Sequence, residues 1–280
     1  MSQDSPPGER SSHEAAVIRT MTDYDMVESP DEPYYANQYL HWILPELSSR
    51  FPDRRAEILD LGCGQGRLSI PLAEWCATGG GRVTGVDLTP SAVEKARGRA
   101  AARGLSNVTF HQGDARGFAR GLAEASANAL LLLEVTFFLP TYRDLLREMA
   151  RLVRPGGVLF VSFRSQYYNL LQTVWSWRLD GAEMALRERE GYLWGEPVWY
   201  TWQTPEDIRG LFQDLGLRLL GLRGIGVCSG LEEDPHGAII RPSQLPPEDQ
   251  DRLMAIECAA AEPYAACGRY ILAVAEKPAG

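Results

Sequence analysis

The 280-residue chain is poor in the groups on which several chemistries depend, with four histidines and five cysteines. The cysteines, at 63, 76, 228, 258 and 267, are odd in number and show no Cys-x-x-Cys spacing. That pattern argues against a disulfide framework or a zinc site and for reduced thiols in a cytoplasm. No run approaches 18 consecutive apolar residues, so no membrane-spanning helix and no membrane partner are expected. The first 20 residues lack an apolar core of the kind that directs export, and a cytoplasmic location is the expectation. Basic residues are outnumbered 28 to 37, which leaves a formal net charge of −9. Arg97, Arg99 and Arg103 share one helix and read as its solvated face. Without a basic cluster to neutralise phosphates, no nucleic-acid partner is expected.

What is present is the composition of a globular α/β protein, 45% hydrophobic and 23% charged. Its most informative stretch is Ile58-Leu59-Asp60-Leu61-Gly62-Cys63-Gly64-Gln65-Gly66. A buried parallel strand ending in an acid would run into a turn where side chains vanish, so that backbone lies against a ligand at the carboxyl edge of a sheet. The third glycine comes one residue too early for Gly-x-Gly-x-x-Gly, and no Gly-Lys-Ser/Thr follows, so neither the dinucleotide fingerprint nor a P-loop fits. Val83 to Asp87 reads as a second strand ending in an acid, 21 residues beyond Gly66. Thr89-Pro90 then opens a helix. Asn107 to His111 reads as a third strand, before Gly113-Asp114-Ala115. Leu130 to Leu133 reads as a fourth, apolar throughout as a doubly covered sheet requires, and it ends at Glu134. A helix from Tyr142 to Val153 leads into Arg154-Pro155-Gly156-Gly157 and a fifth strand.

The glycine turn resembles motif I of the class I S-adenosylmethionine (SAM) dependent methyltransferases, of the small-molecule, natural-product group, and the Pro-Gly-Gly turn resembles the one before their fifth strand. The resemblance covers roughly residues 56 to 163. It implies a Rossmann-like, mostly parallel seven-stranded sheet in the order 3-2-1-4-5-7-6 with helical lid insertions. It also implies SAM as cofactor, S-adenosylhomocysteine as product, and a cofactor set of Asp60, Gly62, Cys63, Gly64, Gly66, Asp87, Leu88, Gly113, Asp114, Ala115 and Glu134. Within that set Asp87 would meet the ribose, and Asp114 with the Ala115 backbone the adenine. The segment after the fourth strand lacks the Asn/Asp-Pro-Pro-aromatic tetrapeptide of enzymes that methylate base amines. Glu134-Val135-Thr136-Phe137-Phe138 resembles the Glu-Val-x-Glu-His of ubiquinone-pathway O-methyltransferases, but with rings where those enzymes can hold a metal. No metal is therefore expected, and the acceptor pocket becomes apolar.

Three segments outside this core should choose the acceptor. Residues 1–33 read as a disordered or loosely ordered tail, and 34–163 as the core with a cover helix from Tyr34 to Ser49, whose Tyr35 and Tyr39 either pack in the core or reach the ligands. Residues 164–203 hold five of the seven tryptophans. So many rings, among them Tyr168, Trp175 and Trp199, must bury against the core, against a second copy in a homodimer, or around an apolar acceptor as a lid. Residues 204–280 complete the core, with Thr204-Pro205 starting a helix, Leu217 to Leu222 and Gly268 to Glu276 forming the last two strands, and an insertion at 225–267. A base is needed only for an acceptor whose proton must leave. The candidates are His236, set among turn residues, then His111 at a strand end, then Glu134. The expectation is methyl transfer to O, N or C of an apolar or aromatic small molecule in specialised metabolism. The alternatives are a non-methylating cyclisation or rearrangement on the same fold, and a SAM-binding scaffold.

Overall fold

The computed structural model describes residues 7–22 and 24–279. Seven strands form the sheet: β1 (Glu57–Leu61), β2 (Arg82–Asp87), β3 (Val108–Gln112), β4 (Ala127–Leu132), β5 (Val153–Arg164), β6 (Arg218–Ile225) and β7 (Tyr270–Glu276). With the two-residue ribbon Glu190–Gly191/Tyr200–Thr201 left unnumbered, their order is β3-β2-β1-β4-β5-β7-β6. The first five run parallel, and β7 is antiparallel to both neighbours. This is the order the resemblance implied.

Ten α-helices accompany the sheet among the described residues: α1 (Pro7–Thr22), α2 (Glu32–Arg50), α3 (Ser69–Cys76), α4 (Pro90–Ala102), α5 (Ala115–Arg120), α6 (Tyr142–Leu152), α7 (Gln166–Trp175), α8 (Leu179–Arg187), α9 (Pro205–Asp214) and α10 (Pro247–Ala260). β4 and β5 are apolar without alternation because each face of the sheet carries its own core. On one face Leu145, Leu146 and Met149 of α6 meet Ile208 and Phe212 of α9. On the other, Tyr39, Ile43 and Leu47 of α2 meet Leu72 of α3 and Leu253 of α10. Each such fully buried aliphatic side chain contributes roughly 1.5–3 kcal/mol. The start of α9 is a reciprocal capping box, with the Asp207 N–H donating to Thr204 Oγ1 at 3.2 Å and the Thr204 N–H to Asp207 Oδ2 at 2.9 Å.

Two expectations need correction. The described residues before 34 do not form a loose tail, since α1 occupies 7–22 and α2 begins at Glu32; residues 1–6 and 23 of that expected tail lie outside the described residues. The rings of 164–203 do not all bury. Trp202 does, with its indole N–H donating to the Ala185 and Glu188 carbonyls, whereas Trp177 is 89% exposed and Trp175 56% exposed.

Candidate active site

The carboxyl ends of β1, β2 and β4 open into a cavity of about 460 Å³. Its floor is the glycine turn. Gly62 sits at φ +84°, and a Cβ there would lie 2.2 Å from Val135 Cγ2, so only glycine lets the turn pass beneath the segment after β4. Gly64, at φ +51°, donates its N–H to Asp87 Oδ2 at 2.8 Å. Oδ1 of the same carboxylate accepts from the Thr89 N–H at 2.8 Å. Asp87 thus ties the ends of β1 and β2 together while lining the cavity beside Leu88. Asp114 also lines it and caps α5, accepting from the Gly117 N–H at 2.7 Å.

Glu134 stands at the end of β4 in the left-handed region, φ +59°, an uncommon conformation for a residue with a side chain. Its N–H donates to Ser162 Oγ at 2.6 Å, which holds that turn. The carboxylate pairs with Arg67 at 3.0 Å, and Arg67 also pairs with Glu32. Burial alone would raise the Glu134 carboxyl, but Arg67 beside it, with Arg269 and Arg164 further off, holds it below the usual range.

The roof comes from α1, where His13, Glu14, Val17, Ile18 and Met21 line the cavity at the spacing of one helix face. His13 is 8% exposed, and it accepts the Trp199 backbone N–H at Nδ1 (2.9 Å). Its Nε2 therefore carries the proton and donates to the Phe138 carbonyl at 2.7 Å. The segment after α1 is clipped to the core: Gln65 Nε2 donates to the Tyr24 carbonyl, Arg99 donates to Gln65 Oε1, and Asp25 pairs with Lys95 and Arg99.

Of the residues singled out from the sequence, Gly62, Gly64, Asp87, Leu88, Asp114, Ala115, Glu134, Phe138 and Trp199 meet at this cavity. The others do not line it. Asp60 is buried beneath the turn, accepting from Ser69 Oγ at 2.5 Å, and burial raises its carboxyl to about 6. Cys63 packs against the core with its thiol buried, Gly66 faces a separate groove with Arg67, and Gly113 lies beside the cavity. His236, the first-choice base, is 3% exposed, bonded through Nδ1 to the Gly226 carbonyl at 3.0 Å and packed on Tyr168. Its loop folds inward because Asp234 caps it and pairs with Arg269. His111 is exposed on β3 against Phe118. Tyr35, Tyr39, Phe137 and Tyr168 are buried behind the cavity, and Trp175 is on the surface. The residue missed was His13. Its only signal was the spacing 13, 17, 18, 21 within a polar stretch.

A methyltransferase-domain family model matches residues 58–157. Trans-aconitate 2-methyltransferase of Azoarcus sp. (strain BH72) is 30% identical over 214 residues, 70% of this chain and 79% of that protein. The 23S rRNA (uracil(1939)-C(5))-methyltransferase of Shewanella sp. (strain ANA-3) is 46% identical over 77 residues, 28% of this chain; the chain spans only 15% of the length of that relative. Among solved structures, the [4+2]-cyclase SpnF superposes with a TM-score of 0.50 and 21% identity, over 81% of this chain and 76% of that one. The fold, the glycine turn and these relatives define the class: the chain belongs to the class I SAM-dependent methyltransferases, whose cofactor is SAM.

Proposed function

We propose that the protein transfers a methyl group from SAM to O, N or C of an apolar or aromatic small molecule, releasing S-adenosylhomocysteine. The observation that carries this reading is the cavity itself, where a glycine turn and three strand-end acids face an apolar roof and wall of Val17, Ile18, Met21, Phe138 and Trp199. The residues present fit the cofactor. The backbone at Gly62 and Gly64 is bare where an amino-acid moiety would approach. Asp87 keeps unused lone pairs for ribose hydroxyls, and Asp114 with Ala115 is set for the adenine edge. Asp60 and Gly66 act beneath the turn as supports. When bound, the cofactor supplies an activated methyl group on a cationic sulfur.

The chain's own contribution is then alignment and exclusion of water. Glu134, kept ionised by Arg67, offers a fixed negative charge to a cationic donor, and its low pKa makes it a poor base. His13 has both nitrogens engaged and serves as the latch of the roof. His236 and His111 have no part in proton transfer on this reading. The net charge of −9 and the cavity's volume of about 460 Å³ favour a small acceptor over RNA. The name of the Azoarcus relative, a trans-aconitate methyltransferase, points the same way. A place in specialised metabolism within the cytoplasm completes the proposal. Among the described residues no helix is long and apolar enough to cross a membrane.

One fold relative is a [4+2]-cyclase, and the second reading is accordingly a non-methylating cyclisation. Incubation with isotopically labelled SAM and a library of aromatic and apolar acceptors separates them by mass spectrometry. A product heavier by one methylene, formed with S-adenosylhomocysteine in equal amount, supports transfer; a product isomeric with its substrate and no S-adenosylhomocysteine sinks it.

A further inference from the structure

Behind the acceptor wall lies an arginine that the methyl-donor site does not explain. Arg164 ends β5, beside Tyr270 of β7. Its guanidinium carbon lies 4.4 Å from the Tyr168 ring centroid, 4.6 Å from that of Tyr270 and 5.1 Å from that of Phe137. No hydrogen bond or ion pair joins its guanidinium to any described residue, and Nη1 is buried without a partner. Its deep neighbours differ, since Arg67 has Glu32 and Glu134, and Arg269 has Asp234. Beside Arg164 the Tyr168 hydroxyl is buried unpaired, and so is Oε1 of Gln203, whose backbone N–H donates to the Arg164 carbonyl. Buried polar groups without partners carry a desolvation cost, and several together point to something that satisfies them.

The position relates this cluster to the acceptor. Phe138 lines the cavity, its ring 3.9 Å from that of Phe137 and 5.4 Å from that of Tyr200. Arg164 covers the Phe137 ring, and its charge reaches both Glu134 and Tyr200.

On the methyltransferase reading, we infer that the acceptor carries a carboxylate, which Arg164 binds within its box of rings as a handle distinct from the atom methylated. A single guanidinium presents the planar fork that matches one carboxylate. The aromatic walls require the remainder of the acceptor to be flat or apolar.

The test is calorimetry on the full chain loaded with S-adenosylhomocysteine, using benzoate, 4-hydroxybenzoate and cinnamate against their amides. The wild type should bind at least one acid about ten-fold or more tighter than its amide. Arg164→Met, which keeps the packing on the rings, should erase that preference with S-adenosylhomocysteine affinity unchanged; Arg164→Lys should retain part of it. If no acid is preferred, or the preference survives Arg164→Met, the handle does not exist. If Arg164→Met instead weakens S-adenosylhomocysteine binding, the guanidinium serves the donor's own carboxylate and the inference is overturned. Failure of the wild type to bind S-adenosylhomocysteine at all would strike the methyltransferase reading itself, a separate result.

Discussion

The half of the cavity proposed for the donor and the half proposed for the acceptor are built from different materials. The donor half is backbone and short acids at the ends of β1, β2 and β4, joined by hydrogen bonds such as Gly64 N–H to Asp87. The acceptor half is side chains from remote segments: His13 bonds residues 125 and 186 positions away. A backbone site tolerates few substitutions and changes steeply, while a side-chain site can be re-lined. Gly62→Ala tests the steep half most severely. Its Cβ would fall on Val135 Cγ2 at a φ that alanine disfavours, and strain plus overpacking should cost about 3 kcal/mol. A chemical-denaturation midpoint unchanged from the wild type would show that the turn has slack and dissolve the contrast.

Asp87→Ala comes next. It removes two anchors of the turn together with the proposed ribose contact, and S-adenosylhomocysteine affinity should fall by about 100-fold in calorimetry. Unchanged affinity would move the donor out of this half.

The same contrast explains what the sequence disclosed. Gly62, Asp87, Asp114 and Glu134 were legible because a turn without side chains and acids at strand ends are constraints written locally, in fixed register with the sheet. The acceptor half depends on which distant segment lands where. Tyr35 and Tyr39 lie on an aromatic helix face, and periodicity cannot tell a core ring from a pocket ring; here the core takes both. His236 sits among turn residues, yet Asp234 and Arg269 draw its loop inward, and burial pulls its imidazole below the usual value. α1 was hidden because its apolar face is narrow and set among charges, so only contacts with Phe138 and Trp199 reveal it.

Asp60 sharpens the comparison from below the turn. Burial raises its carboxyl to about 6, against about 3.9 for an unfolded aspartate. The fold therefore favours the protonated form: that contribution is fully present below about pH 4 and is lost as pH rises through about 6. Asp60→Asn keeps an acceptor for Ser69 without the charge. The unfolding free energy of the wild type relative to Asp60→Asn should thus fall by about 2 kcal/mol between pH 4 and pH 8. Parallel curves would mean that the support of the donor half is electrostatically neutral.

The smallest effect is expected where the roof is latched. His13→Ala deletes two hydrogen bonds between neutral groups, each worth about 0.5–1.5 kcal/mol, and leaves every donor-half contact in place. Hydrogen exchange of the α1 amides should accelerate by about ten-fold while S-adenosylhomocysteine affinity moves by less than about three-fold. The two readouts divide the halves cleanly. Faster exchange with constant affinity makes α1 a cover for the acceptor, held by its own latch. A loss of affinity approaching that of Asp87→Ala would instead make α1 part of the donor site, and the cavity would then be one unit in which roof and floor bind the same ligand.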